Sequence, residues 1–158
     1  ELGADLIADA VAAYARLGEA CIVVDFGTAT TFTAISGDGV VLGVAIAPGM
    51  NLAASALSGG TAQLPQVRLI APQRAIGTNT VDSIRSGVVL GYVGLVEGMI
   101  TRIQAEMASS QRMASDDIKV LATGGLVDII APLTERFYAV DPWLTLDGIR
   151  IIGERCLP

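Results

Sequence analysis

Apolar residues fall at Leu6, Ile7, Ala10, Val11, Tyr14 and Leu17, a spacing that places them on one helix face, so Asp5–Leu17 is predicted helical with Gly18 closing it. The pattern then changes to short runs rich in β-branched residues. Ala20–Phe26 reads as a buried strand and Thr30–Ser36 as a second. Gly37-Asp38-Gly39 is a hairpin turn leading to a third strand, Val40–Ala47. Pro48-Gly49 breaks the pattern, Asn51 is expected to cap a short helix to Leu57, and Gly59-Gly60 and Pro65 mark a loop. Thr80 is expected to cap a long helix running to about Met107, with Asp82 complementing its dipole. Residues 108–117 read as a polar loop. Ile118–Ala122 is a strand, Gly124-Gly125 a turn, Leu126–Leu133 a helix, Phe137–Val140 a short strand, and the chain from Leu144 a final helix.

Three hairpin-linked strands followed by helix, strand, helix, strand and helix resemble one ribonuclease-H-like half of an actin-type ATPase domain, the fold of acetate and sugar kinases, Hsp70 and actin. The expected fold class is therefore α/β. The expected division is a helix at 1–18 and a ribonuclease-H-like domain at 19–158. Proteins of this type bind a nucleotide between two such halves, and no internal repeat supplies a second half here. Within the long helix, Gly87, Gly91, Gly94 and Gly98 share one face. Four glycines cost about 3–4 kcal/mol relative to alanine in a helix interior. Close approach of another backbone would offset this, either inside the domain or between subunits.

Composition narrows the function classes. The chain has 158 residues, 52% hydrophobic and 16% charged, which suits one ordered domain with a sizeable core. Its net charge is −6 with no basic cluster, so nucleic-acid binding is not expected. No apolar run reads as long enough to span a bilayer; the stretch Gly39–Leu57 is interrupted by Pro48 and Asn51. Cys21 and Cys156 do not form a disulfide framework and read as small core residues of a reducing compartment. The chain contains 0 histidines, which excludes histidine-dependent nucleophilic triads and most zinc sites.

Chemistry concentrates in Val23-Val24-Asp25-Phe26-Gly27-Thr28-Ala29-Thr30-Thr31-Phe32. A buried strand ends in a carboxylate, a glycine turn and a threonine-rich strand. Such a turn offers backbone N–H groups and hydroxyls to an anion, with a carboxylate beside them for a cation. A plain hairpin with edge threonines is the competing reading, and an aspartic protease would carry Asp-Thr/Ser-Gly instead. Ala122-Thr123-Gly124-Gly125 follows a strand and precedes a helix, so a flat ligand could approach its backbone. A simple strand-to-helix turn would look the same. Asp5, after Gly3 and Ala4, is either an N-cap or a general base for a hydroxyl. Ile76-Gly77-Thr78-Asn79-Thr80 is either a cap or a site for a carboxylate or hydroxyl substrate.

These segments together resemble the type III pantothenate kinases. The likeness also covers Ile46-Ala47-Pro48-Gly49, Leu64-Pro65, Ser86-Gly87 and Asp141-Pro142-Trp143-Leu144-Thr145-Leu146-Asp147-Gly148, and so runs along essentially the whole chain. The resemblance implies ATP-dependent phosphorylation of pantothenate, the first step of coenzyme A synthesis, in the cytoplasm. It implies ATP with Mg2+, a monovalent cation (K+ or NH4+), and a homodimer, with neither nucleic acid nor membrane as partner. It makes Asp5 the general base, and Gly3, Ala4, Asp5, Leu6 and Thr80 the pantothenate contacts, Thr80 across a dimer interface. Asp25 becomes the cation ligand. Gly27, Thr28, Thr30 and Thr31 become ATP contacts, and Gly124 and Gly125 line the adenosine pocket.

The chain departs from the family pattern in three places. Leu6 stands where the family's Gly-x-Asp-Arg motif has arginine, which removes a fixed donor fork. Thr33 stands where an aspartate usually follows Thr-Thr-Phe. The family's first phosphate loop, Asp-x-Gly-Asn-Thr/Ser, is absent from this sequence, so the chain is expected to be the later part of a longer protein. Two alternatives follow: a non-catalytic or half-site subunit completed by a related chain, or another actin-type small-molecule kinase or regulatory protein.

Overall fold

A computed structural model describes residues 3–60 and 64–156. Its centre is a five-stranded sheet in the order β3-β2-β1-β4-β5. The strands are β1 (Cys21–Phe26), β2 (Ala29–Ile35), β3 (Val41–Pro48), β4 (Lys119–Thr123) and β5 (Ala139–Val140). β1, β2 and β3 pair antiparallel, as tight hairpins require, whereas β4 lies parallel to β1 and β5 parallel to β4. This is the ribonuclease-H-like order that the sequence predicts.

The six helices described are α1 (Ala4–Leu17), α2 (Met50–Gly60), α3 (Thr80–Arg85), α4 (Gly91–Gln111), α5 (Val127–Ile130) and α6 (Leu144–Cys156). Strand alternation sorts them onto two faces. Ile22, Val24, Phe26, Phe32, Ala34, Val120 and Ala122 join Val89, Val96 and Ile100 of the long helix in the larger core. Cys21, Val23, Ile35 and Leu121 point the other way, against Ala10, Ala12 and Ala13 of α1 and Leu144 of α6. The alanine-rich stripe of α1 lets it lie close on that second face.

Several local expectations need correction. Asn79, not Thr80, caps the long helix: its side-chain oxygen accepts from Asp82 N at 2.9 Å. α2 starts at Met50, so Asn51 lies inside it, and the helix takes in Gly59 and Gly60. The long helix continues to Gln111, where Arg112 turns into the left-handed region at φ 55° and ends it. A π turn at Ser86–Leu90 joins α3 to α4. The apolar run Val88-Val89-Leu90 fits any helical phase, so periodicity carried no trace of that turn. Counted as one rod, Thr80–Gln111 spans 32 residues and is long and apolar enough by length and composition to cross a bilayer, contrary to expectation. Here its buried side chains cover the sheet.

An added Cβ at Gly87, Gly91, Gly94 or Gly98 would meet nothing within 4 Å, so packing inside the described domain does not account for that face. Both cysteines are free, but only Cys21 is in the core; Cys156 is exposed. Burial, and secondarily the negative charge of Glu19, pushes the Cys21 thiol up to about 12.

Candidate functional site

The functional segments meet at the carboxyl ends of β1 and β4, the edge at which parallel α/β sheets bind ligands. β1 delivers Asp25 and Phe26 to this edge. The chain then reverses at Gly27-Thr28, with Gly27 N donating to Ala29 O at 3.1 Å. β3 returns beneath the turn, and Gly49 N donates to Thr28 O at 3.1 Å. A Cβ at Gly49 would collide with that same carbonyl oxygen, so only glycine lets the two turns touch.

From the other side, β4 ends at Thr123 and turns at Gly124, whose φ of 97° is a conformation side chains rarely adopt. A Cβ on Gly124 would strike an Asp25 carboxylate oxygen, and Leu126 N donates to Phe26 O at 3.3 Å. The Asp25 turn and the Gly124-Gly125 turn, about a hundred residues apart in the chain, are thus in direct contact.

Helix α1 brings further acid to this edge. Gly3, not Asp5, is the N-cap of α1, and Asp5 sits in the first turn, where the helix dipole favours a carboxylate. It is exposed, and its Oδ1 accepts from Leu6 N at 2.9 Å. Asp25 is half-buried, and no hydrogen bond reaches its carboxylate from the described residues. Its pKa is raised first by burial and then by the negative charge of Asp5.

Register explains what surrounds Asp25. It pairs with Thr31 on β2 and with Thr123 on β4, so carboxylate and hydroxyls form one row across three strands. The Thr31 and Thr123 hydroxyls are enclosed without a partner, and so is that of Thr33, two residues along the same face. Buried hydroxyls ordinarily find partners. Four groups on this side of the sheet break the rule, the fourth being Asp9 on α1.

Asp9 is the residue that sequence reasoning missed. It is 0% exposed. Thr145 Oγ1 of α6 donates to its Oδ1 at 2.6 Å, and its Oδ2 is without a partner. Its pKa is raised to about 6 by burial, opposed by the Thr145 bond and reinforced by the charges of Asp25 and Asp5. The available signal was its place four residues after Asp5, inside a run of alanines that face the sheet.

The remaining predicted residues are placed as follows. Gly3 and Ala4 are exposed beside Asp5, and Thr28 and Gly125 are exposed near Asp25. Leu6 is 8% exposed, so its side chain belongs to the core. Thr30 is 1% exposed and pairs with Phe26, which turns its hydroxyl to the opposite face from Asp25. Its side chain is therefore not part of the carboxylate row. Thr80 lies elsewhere, on an apolar groove of about 590 Å³ with Ala53, Ile84, Val88 and Leu95.

Residues 1–102 match the family model described as type III pantothenate kinase. The chain is 51% identical over 154 residues to a type III pantothenate kinase of Roseiflexus castenholzii, covering 98% of this chain and 58% of that protein. It is 50% identical over 155 residues to one of Moorella thermoacetica, with the same coverage. The chain thus spans a little over half the length of the curated relatives it matches. Among solved structures it is similar to a conserved Campylobacter jejuni protein described as a Baf family transcriptional activator, with a TM-score of 0.54 and 26% identity. That match covers 94% of this chain and 63% of the other.

Proposed function

Since the chain belongs to the type III pantothenate kinase family, we propose that the protein transfers the γ-phosphoryl group of ATP to the hydroxyl of pantothenate, yielding 4'-phosphopantothenate. The observation that carries this reading is the contact between the Asp25 turn and Gly124 at one sheet edge, with the exposed Asp5 carboxylate brought to it by α1. Phosphoryl transfer asks a protein mainly for positioning and charge neutralisation. The turns Gly27-Thr28 and Gly124-Gly125, exposed at Thr28 and Gly125, suit a nucleotide's phosphates and adenosine respectively.

In this reading Asp5 accepts the proton of the attacking hydroxyl, for which a carboxylate needs only hydrogen-bond reach. Gly3 and Ala4 border the same substrate, and Thr80 of a second subunit closes over it. Asp25, flanked by the Thr31 and Thr123 hydroxyls, is an all-oxygen donor set that fits a hard monovalent cation such as K+ or NH4+. Bound there, the cation would neutralise charge beside the phosphates. In this reading Mg2+ accompanies ATP as the phosphate-bound ion. The open glycine face at Gly87, Gly91, Gly94 and Gly98 supports a homodimer.

A second reading, a half-site subunit completed by a related chain, is favoured by Leu6: a buried leucine supplies no donor fork for the substrate. The deciding experiment gives the purified full chain ATP and pantothenate and follows phosphopantothenate. Turnover is expected, and Asp5→Ala should abolish it. No turnover alone but turnover with a related subunit would favour the second reading. Turnover only with another hydroxyl compound would point to a different small-molecule kinase.

A further inference from the structure

The seam between α1 and α6 contains a buried carboxylate to which phosphoryl transfer, as described above, gives no task. Asp9 follows Asp5 by one helical turn, so both side chains leave α1 on the same side. The Asp5 carboxylate has no anchor beyond its own turn among the described residues; it accepts from the adjacent Leu6 N. Its position is therefore set by how α1 is held.

Two contacts seat α1 on α6 at that level. Gly148 packs so closely on the Ala8 carbonyl that a Cβ would collide with the oxygen, which puts the helices in backbone contact. One residue further along α1, Thr145 Oγ1 donates to Asp9 Oδ1 at 2.6 Å. The close approach sets the distance between the helices. The hydrogen bond sets their register, because sliding or rotating α1 by one residue would leave a fully buried carboxylate with neither oxygen satisfied.

We infer that Asp9 is a positioning residue: by accepting from Thr145, it fixes the register of α1 on α6 and so holds the Asp5 carboxylate at the reacting hydroxyl. The inference rests on the reading of Asp5 as general base. The negative charges of Asp25 and Asp5 both act on Asp9, and that of Asp5 acts on Asp25, in keeping with a shared acidic edge.

The test measures kcat, KM and thermal midpoint for the full chain with ATP and pantothenate. Thr145→Val keeps the side chain's shape and removes the donor. It should lower kcat about tenfold and leave both KM values within about twofold, since a small misplacement of a catalytic group costs rate before binding. Thr145→Ser, which retains the hydroxyl, should restore kcat. Asp9→Asn, whose amide oxygen still accepts from Thr145, should keep kcat within about threefold, whereas Asp9→Leu should lose as much as Thr145→Val or more. A lowered thermal midpoint with unchanged kcat in Thr145→Val would mean a merely structural bond and would overturn the inference. Equal losses in Asp9→Asn and Asp9→Leu would overturn it too. If wild type is active and Asp5→Ala dead, such results count against the positioning role alone. A wild type without turnover overturns the proposed function, and this inference with it.

Discussion

The two faces of the sheet are built from the same strands and obey opposite rules. On the long-helix face, Ile22, Val24, Phe26, Phe32, Val120 and Ala122 meet Val89, Val96 and Ile100 in a large apolar core. On the α1–α6 face, the apolar cluster is smaller and made mostly of alanine, valine and cysteine. It gives way toward the carboxyl edge to Asp25, Thr31, Thr33, Thr123 and Asp9, four of which keep enclosed oxygens without partners. One face therefore supplies stability. The other accepts unsatisfied polar groups where the ligand edge lies, as strained or unsatisfied features tend to cluster at functional sites.

That contrast can be broken by three measurements. The largest effect is expected on the apolar face. Phe32 is 1% exposed, and Phe32→Ala should cost about 3–5 kcal/mol through lost burial and a cavity. Chemical denaturation reads this directly, and a loss below 1 kcal/mol would show that the larger core is not the main source of stability.

Next comes the pH dependence due to Asp9. Its folded pKa of about 6 lies above the ordinary 3.8, so the folded state holds its proton more tightly than the unfolded state. The resulting stability is fully present below pH 3.8 and is lost as pH rises through about 6, a change on the order of 3 kcal/mol. Asp25 shifts in the same direction and adds to the slope. Asp9→Asn should remove the Asp9 share, seen as a flatter plot of unfolding free energy between pH 4 and pH 6. An unchanged slope would place the titration elsewhere.

The smallest effect is the most pointed. Thr33 is 1% exposed with an unpartnered hydroxyl, so the isosteric Thr33→Val should stabilise the protein by about 1 kcal/mol. Destabilisation instead would mean that the hydroxyl is satisfied in solution, by water or a cation, and that the polar face is not short of partners at all.

How much of this could be read from the sequence follows the same division. Local signals carried the elements: the β-branched runs Ala20–Phe26 and Thr30–Ser36, the hairpin at Gly37-Asp38-Gly39, the stop at Gly18. The contact between the Asp25 and Gly124 turns comes from the strand order, which sets β4 beside β1. The burial of Thr30 and Leu6 was not legible because a motif names positions without saying which way a side chain points. In a strand, that direction flips at every residue. Asp9 escaped because its meaning lies in Thr145, 136 positions away, and no helical periodicity encodes that partner. The π turn escaped for a different reason, since an apolar run conceals a change of phase.

The two thiols have a practical consequence. Cys21 is walled in by the second face, and its affinity for its proton leaves essentially no thiolate at neutral pH, whereas Cys156 stands in solvent on the last residue of α6. A maleimide dye therefore has one address on the described chain. That address is the end of the helix whose seating against α1 is in question, so a fluorophore could follow the seam without any engineered cysteine.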